Sequence, residues 1–369
     1  MEQVGVLWPW VLSRGIKINF AHRSFQWSNE APGVAQVQCV IIGLSKTPSA
    51  DRRLFDYSLD PRGEPVEVDV SNINPYLLDA PDVVASIERK PLPGARPLVW
   101  GNMPNDDGHL ILSAEEVAVL RDSEPEVAEA YVRLFWGSRE LIQRRQRYCL
   151  WLVGASEDDI AASPFLSAQV GLVRDARRKS KRAATVALAR KPHLFGEIRQ
   201  KSGPYIAIPE VSSERRRFVP IALLDDTVVA SNKLYMMPDG GLYEFGVLNS
   251  TMHNAWVRIV SGRLENRIQY SAGIVYNNFA WPDAASEYAD EIGERAQAVL
   301  EARSAHDGWS LAQLYGSDAM PPDLELAHAE LDRVVDAAYG YTGDGHDAGR
   351  AELLFTMLKR ARDRSRVSR

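Results

Sequence analysis

Three consecutive arginines interrupt the run Val211-Ser-Ser-Glu-Arg-Arg-Arg-Phe-Val-Pro220, and a second basic string, Arg177-Arg178-Lys179-Ser180-Lys181-Arg182, precedes it. Arg215, Arg216 and Arg217 cannot all be buried, since each guanidinium stays charged and needs partners. Their donor forks suit phosphate oxygens or the O6/N7 edge of guanine. The same residues would equally make a solvated surface. Pro81-Asp82 and Glu88-Arg89-Lys90 spell a compressed metal-nuclease pattern, but five intervening residues leave little room for a turn and the two strands that must converge on one Mg²⁺. Asn74-Pro75-Tyr76 lacks the second proline of the loop that orients an exocyclic amine for methyl transfer, so it reads as a turn. His22-Arg23-Ser24-Phe25-Gln26-Trp27-Ser28-Asn29 places aromatics where a strand gives way to a loop, suited either to stacking on an extruded base or to edge packing. His109, His193 and His253 stand alone and read as structural or solvent residues. No Walker loop, GxSxG, HExxH or glycine-rich nucleotide loop occurs.

The elements that position these residues follow from periodicity. Gln3 to Ser13 carries helical spacing, with Gly15 as its cap, and Ile16, Ile18 and Phe20 then alternate as in a strand. The turn-rich segment Ser28 to Gly33 leads to VAQVQCVIIGL, a second strand antiparallel to the first. Residues 45 to 112 read as long ordered loops. Ser113-Ala-Glu-Glu opens a helix with a capping box, a second helix runs from Pro125 to Leu134, and Tyr148 to Val153 is a short strand. Residues 164 to 190 form a basic helix. Short strands fill Phe195 to Phe279, apart from a helix near Asn249 to Val260. Acidic amphipathic helices at 286–304 and 323–338 and an Arg-rich helix at 347–369 close the chain.

Composition bounds the class. The 369 residues are 45% hydrophobic and 25% charged, which excludes a disordered or collagen-like chain. Two cysteines, Cys39 and Cys149, make neither a disulfide framework nor a zinc site. No signal peptide and no apolar run of membrane-spanning length is evident, so a cytoplasmic protein with no membrane partner is expected. The net charge of −6 is uneven: residues 139–220 hold 17 Lys/Arg against 8 Asp/Glu, while the remainder is net acidic. Such a stretch is an electrostatic footprint for a polyanion.

The strings EQVGVLWPWVLSRG, INPYLLDAPD, GNMPNDDGHL, FWGSRELI, IPEVSSERRRFVPI, YEFGVLNSTMHNAW and YSAGIVYNNFAWP closely resemble MmeI-like proteins. These are type IIL restriction–modification enzymes that join nuclease, adenine-N6 methyltransferase and target recognition in one chain. The resemblance covers nearly all of the sequence. It implies an α+β, multidomain chain in three parts: 1–135, the last strands and loops of a Rossmann-like methyltransferase sheet; 136–282, a mixed α/β target-recognition domain; and 283–369, a helical domain. It implies that the chain corresponds to the C-terminal part of such an enzyme, and that the nuclease, the S-adenosylmethionine loop and the Asn-Pro-Pro-aromatic loop are absent from it. Double-stranded DNA is the implied partner. No cofactor is expected on this chain alone, although the full-length family uses S-adenosylmethionine and Mg. Phe25 and Trp27 correspond to the region lining the target-adenine pocket. Glu265 and Arg267 fall where family members carry paired polar residues that choose a base pair. Their i, i+2 spacing would point them to one side of a strand.

The leading expectation is therefore a sequence-specific DNA-recognition protein without catalysis of its own. Its phosphate contacts would come from Arg177, Arg178, Lys179, Lys181, Arg182, Arg215, Arg216 and Arg217. The alternatives are one half of a split, active methyltransferase or nuclease completed by an upstream polypeptide, and an RNA-binding or structural protein using the same basic stretch.

Overall fold

In a computed structural model of the chain, residues 2–27, 37–47, 51–282, 287–316 and 320–367 are described. The turn expected at Ser28 to Gly33, with Ser28 and Asn29 of the aromatic motif, lies outside them. Contacts divide the chain into two compact units, each drawing on separate stretches: Met1–Ala95, Thr251–Tyr288 and Asp332–Arg369 in the first, Arg96–Ser250 and Ala289–Leu331 in the second. The fold is α+β with several small sheets.

The first unit opens with helix α1 (Glu2–Leu12). Gly15 follows at φ +70°, a left-handed position that favours glycine. Strand β1 (Lys17–Trp27) pairs antiparallel with β2 (Val37–Ser45), with register irregularities at Ile18/Phe20 and His22/Phe25. Two strands then appear where loops were expected. β3 (Arg53–Asp56) runs parallel to β1, and β4 (Val66–Asp69) is antiparallel to β3, giving the order β2-β1-β3-β4. Four-residue strands carry too little periodicity to be seen locally; they form because distant β1 offers a ladder and because Leu54 is fully buried. Trp8, Val11, Ile18, Ala21, Leu54 and Ile73 make one core cluster. A second aromatic core packs Tyr76 and Trp256 against Phe355 in tilted pairs, and the Trp256 indole N–H donates to the Val275 carbonyl.

In the second unit, the strands Ala222–Leu224, Tyr205–Pro209, Leu234–Pro238 and Val99–Trp100 form one sheet in that order. Val228–Ala230, Val132–Trp136, Tyr148–Leu150 and Ile111–Leu112 form another. The helix begun by Pro125 ends at Tyr131, and the expected remainder is strand, because Phe135 enters the core of this second sheet. Asn102 ties the sheets' connections: its side-chain carbonyl accepts from the Arg199 and Gln200 N–H groups, and its NH₂ donates to the Ala230 carbonyl. At Gly101 a side chain would collide with the Ser231 backbone, so this close approach requires glycine. The capping box at Ser113 forms, starting the helix Ala114–Ser123. The basic helix is shorter than expected, spanning Pro164–Arg178, with a brief further helix at Ala183–Ala187.

Candidate nucleic-acid interface

The arginine triplet sits on a turn after the short strand Val211–Ser212. Ser213 shapes that turn, its hydroxyl and carbonyl accepting from the Arg215 and Arg216 N–H groups. Phe218 anchors the far end: it is fully buried and stacks on the His328 ring at 4.1 Å, with Tyr315 edge-on at 6.2 Å. Arg215 is exposed, 4.0 Å from Glu214, and Arg217 lies 3.7 Å from Glu325. Arg216 is half-buried, its Nε has no hydrogen-bond partner, and burial lowers its pKa. A guanidinium partly stripped of water with an unused donor is predisposed to an external acceptor.

Arg178, Lys179, Lys181 and Arg182 are exposed at and beyond the end of the helix Pro164–Arg178. Arg177 is not part of that surface, which corrects the sequence-based expectation. It is 1% exposed, and it donates to the carbonyls of Pro104, Asn105, Leu188, Lys191 and Leu194 at 2.7–3.1 Å. The reason is helical register: Leu166, Val170, Val173 and Arg177 form one buried stripe at intervals of four, three and four. That signal was present in the sequence.

In the first unit, Gly262–Leu264 and Arg267–Gln269 form a hairpin, with Leu264 opposite Arg267. Glu265 therefore lies in the two-residue turn, at φ +59°, and not on a strand beside Arg267 as its spacing suggested. The turn still brings the two side chains together: Arg267 donates to the Glu265 carboxylate at 3.0 Å, and both are exposed. Phe25 is half-buried, stacked on Tyr57 at 5.0 Å and 6.2 Å from Trp27, which is 56% exposed. His22 stacks on Phe55 at 4.4 Å, and its Nδ1 lies 2.8 Å from the Tyr57 hydroxyl. This strand end is thus an aromatic shelf with Trp27 at its open edge.

Asn74-Pro75-Tyr76 is a turn. The Asn74 side-chain carbonyl accepts from the Tyr76 and Leu78 N–H groups, and Leu77 adopts φ +59°. Tyr76 is held inward; its hydroxyl accepts from the Ala85 N–H, and burial pushes its pKa up to about 12. With its acceptor occupied, Asn74 does not fit the amine-holding part of a methyl-transfer site, and we derive no step through S-adenosylmethionine. Asp82 pairs with Lys17 at 2.5 Å and Glu88 with Arg362 at 3.2 Å, so the two carboxylates of the compressed nuclease pattern serve separate cations. Among the described residues, no group of three or more His, Cys, Asp or Glu is arranged to hold a metal ion. Among them, too, no helix is long and apolar enough to cross a membrane.

Residues 79–283 match the target recognition domain of MmeI, residues 284–363 its C-terminal domain, and residues 1–56 its DNA-methyltransferase domain. DNA methyltransferase A of Bacillus subtilis (strain 168) is 35% identical over 363 residues, 98% of this chain and 40% of that protein. A solved structure of the type IIL restriction-modification enzyme MmeI in complex with DNA is 42% identical, with a TM-score of 0.83, covering 98% of this chain and 48% of that one. The chain thus spans less than half the length of either relative.

Proposed function

Because the chain belongs to the MmeI family of type IIL restriction–modification proteins, we propose that it recognises a specific sequence in double-stranded DNA as part of an adenine-N6 DNA methyltransferase of that type. What carries this reading is the match of residues 79–283 to a target recognition domain, a span that contains both the basic stretch and the Glu265/Arg267 hairpin. Arg178, Lys179, Lys181, Arg182, Arg215, Arg216 and Arg217 hold phosphates. Glu265 accepts from cytosine N4, and Arg267 donates to guanine O6 and N7 of the same base pair. Phe25 and Trp27 offer faces against which a target base stacks. By themselves the 369 residues bind DNA without transferring a methyl group, since they contain neither a glycine-rich cofactor loop nor an Asn-Pro-Pro-aromatic loop.

Titration of the purified chain with labelled duplex, with and without S-adenosylmethionine, tests both parts. Salt-sensitive duplex binding that the cofactor does not alter is expected, together with a flat calorimetric trace for the cofactor alone. Absence of duplex binding would remove the recognition reading, and micromolar cofactor binding would remove the statement about catalysis.

A further inference from the structure

We propose that Arg139, Arg145 and Arg147 form a clamp for a backbone phosphodiester of duplex DNA, on the turn between the helix Ser138–Gln143 and the strand Tyr148–Leu150. The inference rests on the duplex reading above and assigns a phosphate contact to residues outside the two basic strings. A shallow hollow of about 370 Å³ is lined by these three arginines with Ser113, Glu140 and Gln146. The Arg139 and Arg145 side chains are exposed and make no hydrogen bond or ion pair within the described residues. The Arg147 guanidinium lies 4.9 Å above the Phe135 ring, which fixes its plane and leaves its donors unspent.

Beside the arginines, Gln146 adds a donor to the hollow. The Tyr148 hydroxyl donates to the Gln146 side-chain carbonyl at 3.1 Å, leaving the Gln146 NH₂. The Ser113 oxygen accepts from the Glu116 N–H at 3.2 Å, and its hydroxyl donates to the Glu115 carboxylate. Glu140 is the lone carboxylate, and it accepts from the Gly137 N–H at 2.8 Å. Three guanidiniums against one committed carboxylate leave the hollow cationic. A phosphodiester presents acceptors alone and recurs at every step of a duplex, whereas among base edges only guanine O6/N7 does so. The cationic lining fits the phosphodiester, and equal losses on two unrelated duplexes separate it from a guanine contact.

The platform beneath is rigid. The Arg147 carbonyl accepts from the Phe135 N–H at 2.8 Å, Leu112 pairs with Tyr148 across the sheet, and Leu141 and Ile142 are buried. The turn itself is tight: Arg144 takes φ +53°, and the Arg145 N–H donates to the Glu140 carbonyl at 3.2 Å. The guanidiniums are therefore presented from a fixed backbone, which reduces the ordering cost of gripping an anion.

The test compares the chain with its Arg139→Gln/Arg145→Gln variant on two duplexes, the sequence that the wild type selects from a randomised pool and an unrelated one. Both positions are exposed, so the melting temperature should not change; Arg145→Gln alone serves if the double variant is unstable. The expected result is a loss of tenfold or more on both duplexes, an unchanged ratio between them, and a log K against log salt slope shallower by about 1–2, the value for one or two lost phosphate contacts. Unchanged affinity and slope would overturn the clamp while leaving recognition standing. If the wild type binds no duplex, the recognition reading fails and inorganic pyrophosphate becomes the probe. Calorimetric binding lost in the variant then upholds the anion site, and equal binding in both overturns it.

Discussion

Glu265 and Arg267 hold each other at the hairpin tip, 3.0 Å apart and open to water. An exposed pair of this kind is worth only ~0.2–1 kcal/mol, so opening it costs little beside the ~1–3 kcal/mol that a good base contact discriminates. The intramolecular pair is thus compatible with base reading. It also supplies a sharp test: Glu265→Lys with Arg267→Asp reverses acceptor and donor, keeps the pair in the free protein, and should flip the preferred base pair from C·G to G·C in selection from a randomised duplex pool. Either single change should weaken binding without a clean switch, because like groups then face each other. An unaltered preference in the double variant would make the two residues a surface pair only. Arg177 demands the opposite experiment. Five carbonyls depend on its guanidinium, so Arg177→Ala should lose about 3 kcal/mol or more of unfolding free energy in denaturant titration, and Arg177→Lys, with three donors, should recover only part. A loss of DNA affinity with unchanged stability would contradict this structural role.

Between elements, the arginine turn is held by a buried polar chain. Arg303 in the helix Tyr288–Ser304 donates to the Tyr315 hydroxyl at 2.7 Å, to the Ile221 carbonyl at 2.8 Å and to the Asn249 side chain at 2.8 Å. With its oxygen occupied by Arg303, Tyr315 donates to His328 Nε2 at 2.7 Å, and the neutral His328 ring stacks on Phe218. Burial first, then the Arg303 and Arg217 cations, holds the His328 pKa well below its ordinary value. The unfolded chain binds this proton below about pH 6.5 and the native chain does not, so the contribution is intact above that pH and declines as pH falls through it. The stability advantage of wild type over His328→Gln should shrink as pH falls below about 6.5, and a pH-independent difference would refute the neutral histidine. None of this chain was legible in sequence, since its members come from segments up to 107 positions apart whose proximity is a property of the folded unit. Local signals fared better: the Ser113 capping box and the helices after Tyr288 are written in short-range spacing, as is the register that buries Arg177, although the basic string around it drew the residue into the phosphate surface instead. The two strands between Arg53 and Asp69 are not, because their stability comes from β1. The hairpin at Glu265 escaped for a related reason, its turn being Glu-Asn where the usual two-residue signal contains glycine.

Across the whole molecule, the net charge of −6 and the positive stretch at 139–220 pull in opposite directions. At 0.1 M salt the Debye length is about 10 Å, so carboxylates farther from a bound phosphate than that are largely screened, and the local donors decide. The acidic remainder should oppose encounter mainly at low ionic strength. If the basic residues make about six phosphate contacts, log K against log salt should slope near −5. Arg215→Ala, Arg216→Ala and Arg217→Ala together should make that slope shallower by about 2–3 and weaken all duplexes alike, since phosphate contacts carry no base information. Of the three, Arg216 should matter most: it is half-buried, and its unpartnered Nε bears a desolvation penalty that the nearby Glu214 offsets only in part and a phosphate would relieve, whereas Arg215 and Arg217 are more exposed and lie within 4.0 Å of a carboxylate. Arg216→Gln alone should therefore cost more affinity than Arg215→Gln or Arg217→Gln, measured by duplex titration at fixed salt. Equal small losses at all three positions would make the turn part of a diffuse cationic surface, and no loss even in the triple variant would make it a solvated face.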